Sequence, residues 1–450
     1  MFRKIAVLTQ AELLFITRCP TGRKLWADTL FRGSLFVPSQ TACAGRFMRT
    51  LLLTAGRGTY ALALARRFHA EGFRVLVADA WPHTLCRYSS AVSRYFHVPS
   101  PARRTSAWLN AIWQIAERHS VELIIPIYEE VFYLAQAKAA RKDGPALFAP
   151  SFETLIALHD KWLFIEKSQQ LGLSAPQTAR IASRDELVRV FAQRDANRTV
   201  YKPVYSRFAA QTVVRPQGIE ALDGVEPTAR RPWIAQEYLP GRPYATFTIA
   251  HRGRIAAHAT YATDFCHNFG PTVVYRRVEQ PAVLEWVRTF IEAVKYTGQV
   301  GFDFIEDASG RIAAIECNPR LTGGMYLLKD DPRFAKAYFD PQTGPIEAVR
   351  GRSYTFRFWL FWTLFRHTAS FPGVSEWCRH FFGARSTNEF LWSDPLPRLM
   401  GPVLTAGVAA AAFKNGIGAR EMVTRDFEWS EDLTAVNADV LARWAAEQAA

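Results

Sequence analysis

Three oxygen-bearing side chains near residue 310 have the types and spacing to hold a hard cation. Asp303 lies in Gly301-Phe302-Asp303-Phe304-Ile305, and Glu316 and Asn318 lie in Ile315-Glu316-Cys317-Asn318-Pro319-Arg320. Both stretches read as short strands joined by a turn at Glu306-Asp307-Ala308-Ser309-Gly310. Strand side chains alternate faces, so Glu316 and Asn318 share one face while Ile315 and Cys317 point the other way. A hairpin with this turn brings the Asp303 carboxylate beside that of Glu316. Two carboxylates and an amide oxygen suit Mg²⁺, which takes oxygen ligands at about 2.0–2.1 Å and keeps a phosphate or water in its shell. Taken alone, the pair also fits a polar hairpin facing solvent.

A second candidate lies near residue 56. Gly56-Arg57-Gly58-Thr59-Tyr60-Ala61 fits G-x-G-x-x-A. Asp79 follows at about the 20-residue distance of a ribose-binding acid, which makes a dinucleotide (NAD) site an alternative. His251, His258 and His267 lack the spacing of a metal-binding helix, and His258 reads as a strand-packing residue. Cys266-His267 has no assignable acid to orient the histidine. Arg276, ahead of a predicted helix, is a candidate for holding an acidic substrate.

The elements that position these groups belong to a folded protein of 450 residues, 49% hydrophobic, 13% aromatic and 21% charged. Net charge is +14, but residues 1–47 carry seven basic residues against two acidic, and no basic run is interleaved with aromatics as a nucleic-acid groove requires. A basic protein that takes nucleotides or acidic substrates fits better. Six cysteines, none in a CxxC pair, in a chain with an ample core read as reduced thiols in a cytoplasm. Neither Phe358–Phe365 nor Leu399–Phe413 is long enough to cross a bilayer, and both read as buried helices.

Residues 1–47 show no period and form an uncertain extension, with Met48 an alternative start. Leu51–Thr54, Tyr60–Glu71, Arg74–Ala78, Ser106–His119, Glu122–Pro126 and Glu129–Ala140 alternate strand and helix, predicting a doubly wound, Rossmann-like domain over 48–150. Over 151–330, helices at Ser151–His159, Trp162–Leu171, Ser183–Asp195 and Pro281–Thr297 alternate with strands at Thr199–Lys202, Gln211–Val214, Ile234–Tyr238, Tyr244–Ala250 and Ile255–Thr263. The fold class is α/β followed by α+β. The remainder, 331–450, is aromatic-rich and reads as mainly helical, with helices over Tyr354–His367 and near 402–413 and 431–447.

In this order the features resemble the ATP-grasp superfamily, especially its carboxylate–amine ligases and carbamoyl-phosphate-synthetase-like members. The resemblance covers about residues 50–328. It rests on Asp160-Lys161, Tyr201-Lys202-Pro203, Gln236-Glu237-Tyr238-Leu239-Pro240-Gly241, Gly301-Phe302-Asp303-Phe304 and Glu316-Cys317-Asn318-Pro319-Arg320. It implies a Rossmann-like first domain, a two-subdomain ATP-grasp fold and a site for ATP with Mg²⁺, Mn²⁺ being the substitute. Lys161 and Lys202 would meet the α- and β-phosphates. Gln236, Glu237, Tyr238 and Leu239 would form the adenine hinge. Asp303, Glu316 and Asn318 would hold the metal. Arg320 would reach a transferred phosphate or substrate carboxylate, its alternative being an ion pair with Glu316. The implied reaction activates a carboxylate as an acylphosphate for attack by an amine, releasing ADP and phosphate. A homodimer is compatible with it.

Two departures stand out. The phosphate-covering loop, Val204-Tyr205-Ser206-Arg207-Phe208-Ala209-Ala210, contains no glycine, so Ser206 and the catalytic candidate Arg207 would replace backbone donors. Pro243 stands where many members carry a ribose-binding glutamate, and losing such a charge-assisted hydrogen bond is worth about 1.5–3 kcal/mol. Rival readings are a nucleotide-binding scaffold without ligase activity and an enzyme resting on lipid through its C-terminal region.

Overall fold

Leu51, Leu52 and Leu53 have no exposed surface. Their strand, β1 (Thr50–Thr54), is the middle of a five-stranded parallel sheet covered on both faces, which is why an unbroken apolar run is needed there. This sheet has the order β3-β2-β1-β4-β5, with β2 at Arg74–Asp79, β3 at Arg94–His97, β4 at Leu123–Ile125 and β5 at Ala146–Leu147. Helix α1 (Thr59–Ala70) packs with Leu51, Leu53, Val75 and Val77 on one face. Helices α2 (Thr105–Arg118) and α3 (Glu130–Ala139) pack with Leu52 and Leu76 on the other. In this computed structural model, residues 49–141, 143–205, 211–263, 272–349, 353–356, 360, 371–382, 386–387 and 392–429 are described. The extension 1–47 with Met48, Cys266-His267 and the 431–447 helix lie outside them.

Two capped helices lead out of the first sheet. Ser151 accepts from the Thr154 amide at the start of α4 (Phe152–His159), and Asp160 accepts from the Trp162 and Leu163 amides at the start of α5 (Lys161–Gln170). A small antiparallel sheet follows, ordered β6-β9-β7-β8, with β6 at Thr178–Ile181, β7 at Thr199–Pro203, β8 at Val213–Val214 and β9 at Trp233–Glu237. It packs against α6 (Arg184–Gln193), where Ser183 caps the Glu186 amide and the Glu186 carboxylate returns to the Ala182 amide.

The larger sheet runs β14-β13-β10-β11-β12-β16-β17, with β15 beside β11. Its strands are β10 (Gly241–His251), β11 (Arg254–Ala262), β12 (Val274–Arg277), β13 (Gly298–Asp307), β14 (Ile312–Asn318), β15 (Ile346–Glu347), β16 (Ser353–Thr355) and β17 (Ser386–Thr387). Helix α7 (Pro281–Ala293) lays Trp286 and Phe290 on Phe302 of β13, each 5.5 Å away between ring centroids. On the opposite face, α1 is shared with the parallel sheet, so Phe68 meets Tyr338 edge-on at 5.3 Å.

The chain after Asp331 departs from the expected run of helices. It forms α8 (Phe371–Phe382), α9 (Leu396–Asn415) and α10 (Ala419–Thr424), but it also supplies β15, β16 and β17 to the larger sheet. Tyr354 is in β16, where the sequence predicted the start of a helix. Of Phe358–Phe365 only Leu360 is described, and it is buried. The expectation of a short buried helix over Leu399–Phe413 is wrong on both counts. α9 has 20 residues, and only 11% of its apolar window is buried.

This C-terminal chain folds back onto the first sheet through two charge clusters. Ahead of α9, Asp394 accepts from Arg66 at 2.8 Å, from the Ser89 hydroxyl at 2.6 Å and from the Ser90 amide at 2.9 Å. After α10, Asp426 accepts from Arg57 Nη1 at 3.0 Å, while Arg57 Nη2 donates to Asp79 at 2.7 Å. The Arg57 guanidinium is sandwiched between Trp81 and Phe427, 4.4 Å from each ring. Taking one partner from a buried ion pair costs about 3–5 kcal/mol because the other charge is left in a poor solvent. Arg57→Ala, which strands Asp79 and Asp426 together, should lower the unfolding free energy by about that amount in a urea titration. Arg141→Ala, at a surface pair with Glu117, should change it by less than about 1 kcal/mol.

Candidate functional site

The antiparallel register of β13 and β14 sets Asp303 directly opposite Glu316 and Gly301 opposite Asn318. The register slips between Asp303 and Phe304, which then faces Ala314 and leaves Ile315 as the extra residue of a bulge. Cys317 points into the core under α7, as alternation requires. Gly301 permits a close approach: a Cβ there would come within 2.5 Å of Thr322 Cγ2 and 2.7 Å of the Thr246 carbonyl. The side chains of Asp303 and Asn318 meet at 3.2 Å, with the amide nitrogen donating.

Both lysines arrive at this hairpin from other elements. Lys161 opens α5, is 3% exposed, and lies 3.9 Å from Glu316 while donating to the Val204 carbonyl at 3.3 Å. Lys202 on β7 is 7% exposed and donates to the Ile315 carbonyl at 3.4 Å. Burial pulls Lys202 down to about 8, opposed by Glu316 and reinforced by Lys161. Loss of water around Asp303, together with the Glu316 carboxylate, pushes Asp303 up to about 7, against the pull of Arg320 and Lys202.

Arg320 donates to Asn318 Oδ1 at 3.1 Å and stands 3.8 Å from Glu129. Its carboxylate partner is thus Glu129, in the turn after β4 of the first sheet, correcting the alternative of an ion pair with Glu316. Glu129, 2% exposed, was not among the residues singled out from the sequence. Its neighbour Glu130 accepts from the Thr54 hydroxyl at 2.6 Å and the Ile127 amide at 2.8 Å, which fixes the turn that carries Glu129. The available signal was an acidic pair just past the carboxyl end of an apolar strand, where open α/β sheets place ligands. Arg320 also borders a narrow crevice lined in part by Pro126, Phe148, Pro150 and Gln299.

The predicted adenine hinge is the end of β9 and the step into β10. Gln236 is buried beside Thr178, and the Glu237 carboxylate accepts from the Gln177 amide at 3.2 Å. The Glu237 amide donates to the Gln177 carbonyl and the Tyr238 amide to the Arg198 carbonyl, both at 2.8 Å, so neither N–H is left for a base. Leu239 is half-buried at the step. Tyr205 donates to Asp160 at 2.8 Å, pinning the entry to the phosphate-covering loop over the α5 cap. Ser206 and Arg207 lie outside the described residues.

The other sequence candidates sit elsewhere. In β11, His258 lies between the Thr248 and Thr260 hydroxyls, and burial pulls it down to about 3, so it is a neutral packing residue. Arg276 on β12 is separated from the hairpin strands by β11 and β10. The G-x-G-x-x-A turn is filled from within. Asp79 accepts from Arg57 and from the Trp81 amide, and a Cβ on Gly58 would collide with the Tyr128 hydroxyl. The crevice above holds Phe427, stacked on Tyr128 at 5.4 Å. Asp79 is spoken for, and the NAD alternative loses its ribose acid.

Residues 158–324 match the ATP-grasp domain family. The chain carries an ATP-grasp domain. Among solved structures it resembles N5-carboxyaminoimidazole synthetase from Staphylococcus aureus, with 14% identity over 68% of this chain and 81% of that one, at a TM-score of 0.55. The biotin carboxylase β,γ-ATP complex from Campylobacter jejuni gives 16% identity, 65% and 72% coverage and a TM-score of 0.52. L-amino acid ligase from Bacillus licheniformis gives 16%, 68% and 78%, and 0.51. At such identities the likeness establishes the fold. No curated protein sequence matches the chain.

Among the described residues no three His, Cys, Asp or Glu side chains converge. Two carboxylates and an amide fit a Mg²⁺ that draws the rest of its shell from phosphate and water, and the raised Asp303 marks a place short of positive charge. With Asp303 near 7 when folded and near 4 when unfolded, the folded chain holds the extra proton between those values. Stability conferred by that proton is full below about pH 4 and is lost as pH rises through about 7. In the metal-free protein, the difference in unfolding free energy between wild type and Asp303→Asn should therefore shift against wild type across that window, and added Mg²⁺ should reverse the shift. A pH-independent difference would show that Asp303 does not carry the raised value.

Proposed function

We propose that this protein is an ATP- and Mg²⁺-dependent ligase that activates a small-molecule carboxylate as an acylphosphate and joins it to an amine. The observation that carries this reading is the meeting of Lys161, Lys202, Asp303, Glu316 and Arg320, from three separate stretches of chain, around one hairpin. In this reading Lys161 and Lys202 donate to the nucleotide phosphates as compact point charges. The Glu237 carbonyl and the Leu239 amide take the adenine edge. Asp303, Glu316 and Asn318 would hold Mg²⁺, with Mn²⁺ as the substitute, and a metal held there would supply positive charge to the phosphates.

The substrate carboxylate attacks that phosphoryl group and ADP leaves. The amine then attacks the acyl carbon, loses a proton and expels phosphate. Arg320, which contacts Glu129 and Asn318, forks in this reading onto the substrate carboxylate or the phosphate it acquires. Ser206 and Arg207 are proposed to cover the phosphates, their loop entry anchored by Tyr205.

Purified protein with MgATP should release ADP only when both a carboxylate and an amine are supplied from substrate pools. Asp303→Asn and Glu316→Gln should each slow that release by about 10²–10³-fold, the usual loss for one aimed electrostatic contact. ATP bound with no ADP formed under any pool would instead support a scaffold without ligase activity. MgATP affinity should also be bell-shaped in pH. Below about 7 a proton on Asp303 competes with the metal, and above about 8 Lys202 loses the charge that meets phosphate. Isothermal titration across pH checks both limbs, and Lys202→Met should remove the alkaline one.

A further inference from the structure

Helix α9 is apolar on every side and largely uncovered. Its window has a mean hydropathy of 1.4, and no charged residue occurs from Leu399 to Phe413. The side turned to the protein runs through Pro397, Gly401, Leu404, Val408 and Ala412. The opposite side is no more polar: Leu399 is 66% exposed, Val403 57% and Phe413 89%, with Trp392 at 86% just ahead of the helix. A helix apolar all round is normally found inside a large core or in lipid. Among the described residues none covers this outer side.

Charge selects the partner. From residue 395 to 425, Arg398, Lys414, Arg420 and Arg425 are basic and Glu421 alone is acidic, in a chain of net charge +14. A second copy of the chain would bring the same basic groups against this face. An anionic lipid surface complements them, and tryptophan at the edge of an apolar helix suits the headgroup level. Both ends of the segment are tied to the same α/β unit, by Asp394 to Arg66 and by Asp426 to Arg57. Between them α9 packs on the turn at Leu85–Tyr88. Crossing a bilayer would pull both charge clusters apart, whereas lying in its surface leaves them intact.

We propose that α9 lies flat in the interface of an anionic membrane, holding the protein on the bilayer through Leu399, Val403 and Phe413 with Lys414 at the headgroups. Full-length protein should co-sediment with vesicles of phosphatidylcholine containing phosphatidylglycerol, and about tenfold less with phosphatidylcholine alone or at high salt. Leu399→Glu/Val403→Glu/Phe413→Glu should lower anionic-vesicle binding by about tenfold or more. These side chains face solvent, so its thermal unfolding should match wild type. Lys414→Glu, a single change at an exposed position, should weaken binding in the same direction. Failure of wild type to bind anionic vesicles, or equal binding by the triple variant, would overturn the proposal. So would retention of the protein on vesicles after alkaline carbonate, which marks a spanning helix. A dimer in sedimentation equilibrium that the triple variant converts to monomer, with no vesicle binding, would give the face to a second copy instead.

Discussion

Two carboxylates on facing positions of one hairpin cannot both be anions in a dry cleft unless positive charge stands beside them. Asp303 and Glu316 face each other by strand register, and the cations come from the start of α5, from β7 and from the turn after β14. Each element's position is therefore tied to the others through charge as well as packing. Asp160 caps α5 and receives Tyr205, so one buried carboxylate sets both the helix that carries Lys161 and the loop entry above it. The balance is left slightly wrong in both directions, with Asp303 raised and Lys202 lowered. A cation beside Asp303 would relieve the first, and an anion beside Lys202 would relieve the second.

The first sheet illustrates how a ligand-like geometry is converted into structure. The crevice above β1 and β4 is where an open parallel sheet ordinarily offers helix dipole and glycine turn to a nucleotide. In this chain Arg57, inside the glycine turn, supplies the positive charge itself. Asp79 and Asp426 neutralise it, and Trp81 and Phe427 stack on its two faces. The C-terminal chain thereby occupies the crevice. Trp429 continues the closure by packing on Phe132, Tyr133 and Phe152.

Much of the site was readable in the sequence because its geometry is local. Period-two alternation puts Glu316 and Asn318 on one side of β14, and the short turn over 308–311 brings the two strands together, but it is the bulge at Ile315, which no local pattern signals, that sets Asp303 opposite Glu316. Lys161 and Lys202 could be placed only by resemblance, since a lone lysine carries no periodic signature. Glu129 escaped notice because its contact with Arg320 spans almost two hundred positions and two sheets, and no local pattern encodes that. The edge strands β3 and β6 were missed for a related reason. Arg-Tyr-Phe-His and Thr-Ala-Arg-Ile are short and polar-interrupted, and a neighbouring strand, rather than their own propensity, makes them strands. The turn at Gly56 misled in the opposite sense, because its spacing matched a dinucleotide site while the residue between the glycines filled it.

The same limit explains α9. An amphipathic period tells a helix which side to bury, but Leu399–Phe413 has no polar side from which to measure. A sequence without that contrast is compatible with the deepest core and with a fully exposed rod, and its apparent length ends wherever the nearest charge falls. Only the three-dimensional chain decides, because it shows whether anything is there to cover it. Here Asp394 and Asp426 hold the segment against the first sheet by its ends, while Leu399, Val403 and Phe413 on its outer face are covered by none of the described residues. Such an arrangement costs hydrophobic free energy in water at about 25 cal/mol per Å². The tethers make that cost tolerable by fixing the helix in place, and they also fix its orientation. The chain leaving it lays Phe427 on Tyr128, the residue before Glu129, so the segment that tethers α9 also packs on the turn that carries the partner of Arg320.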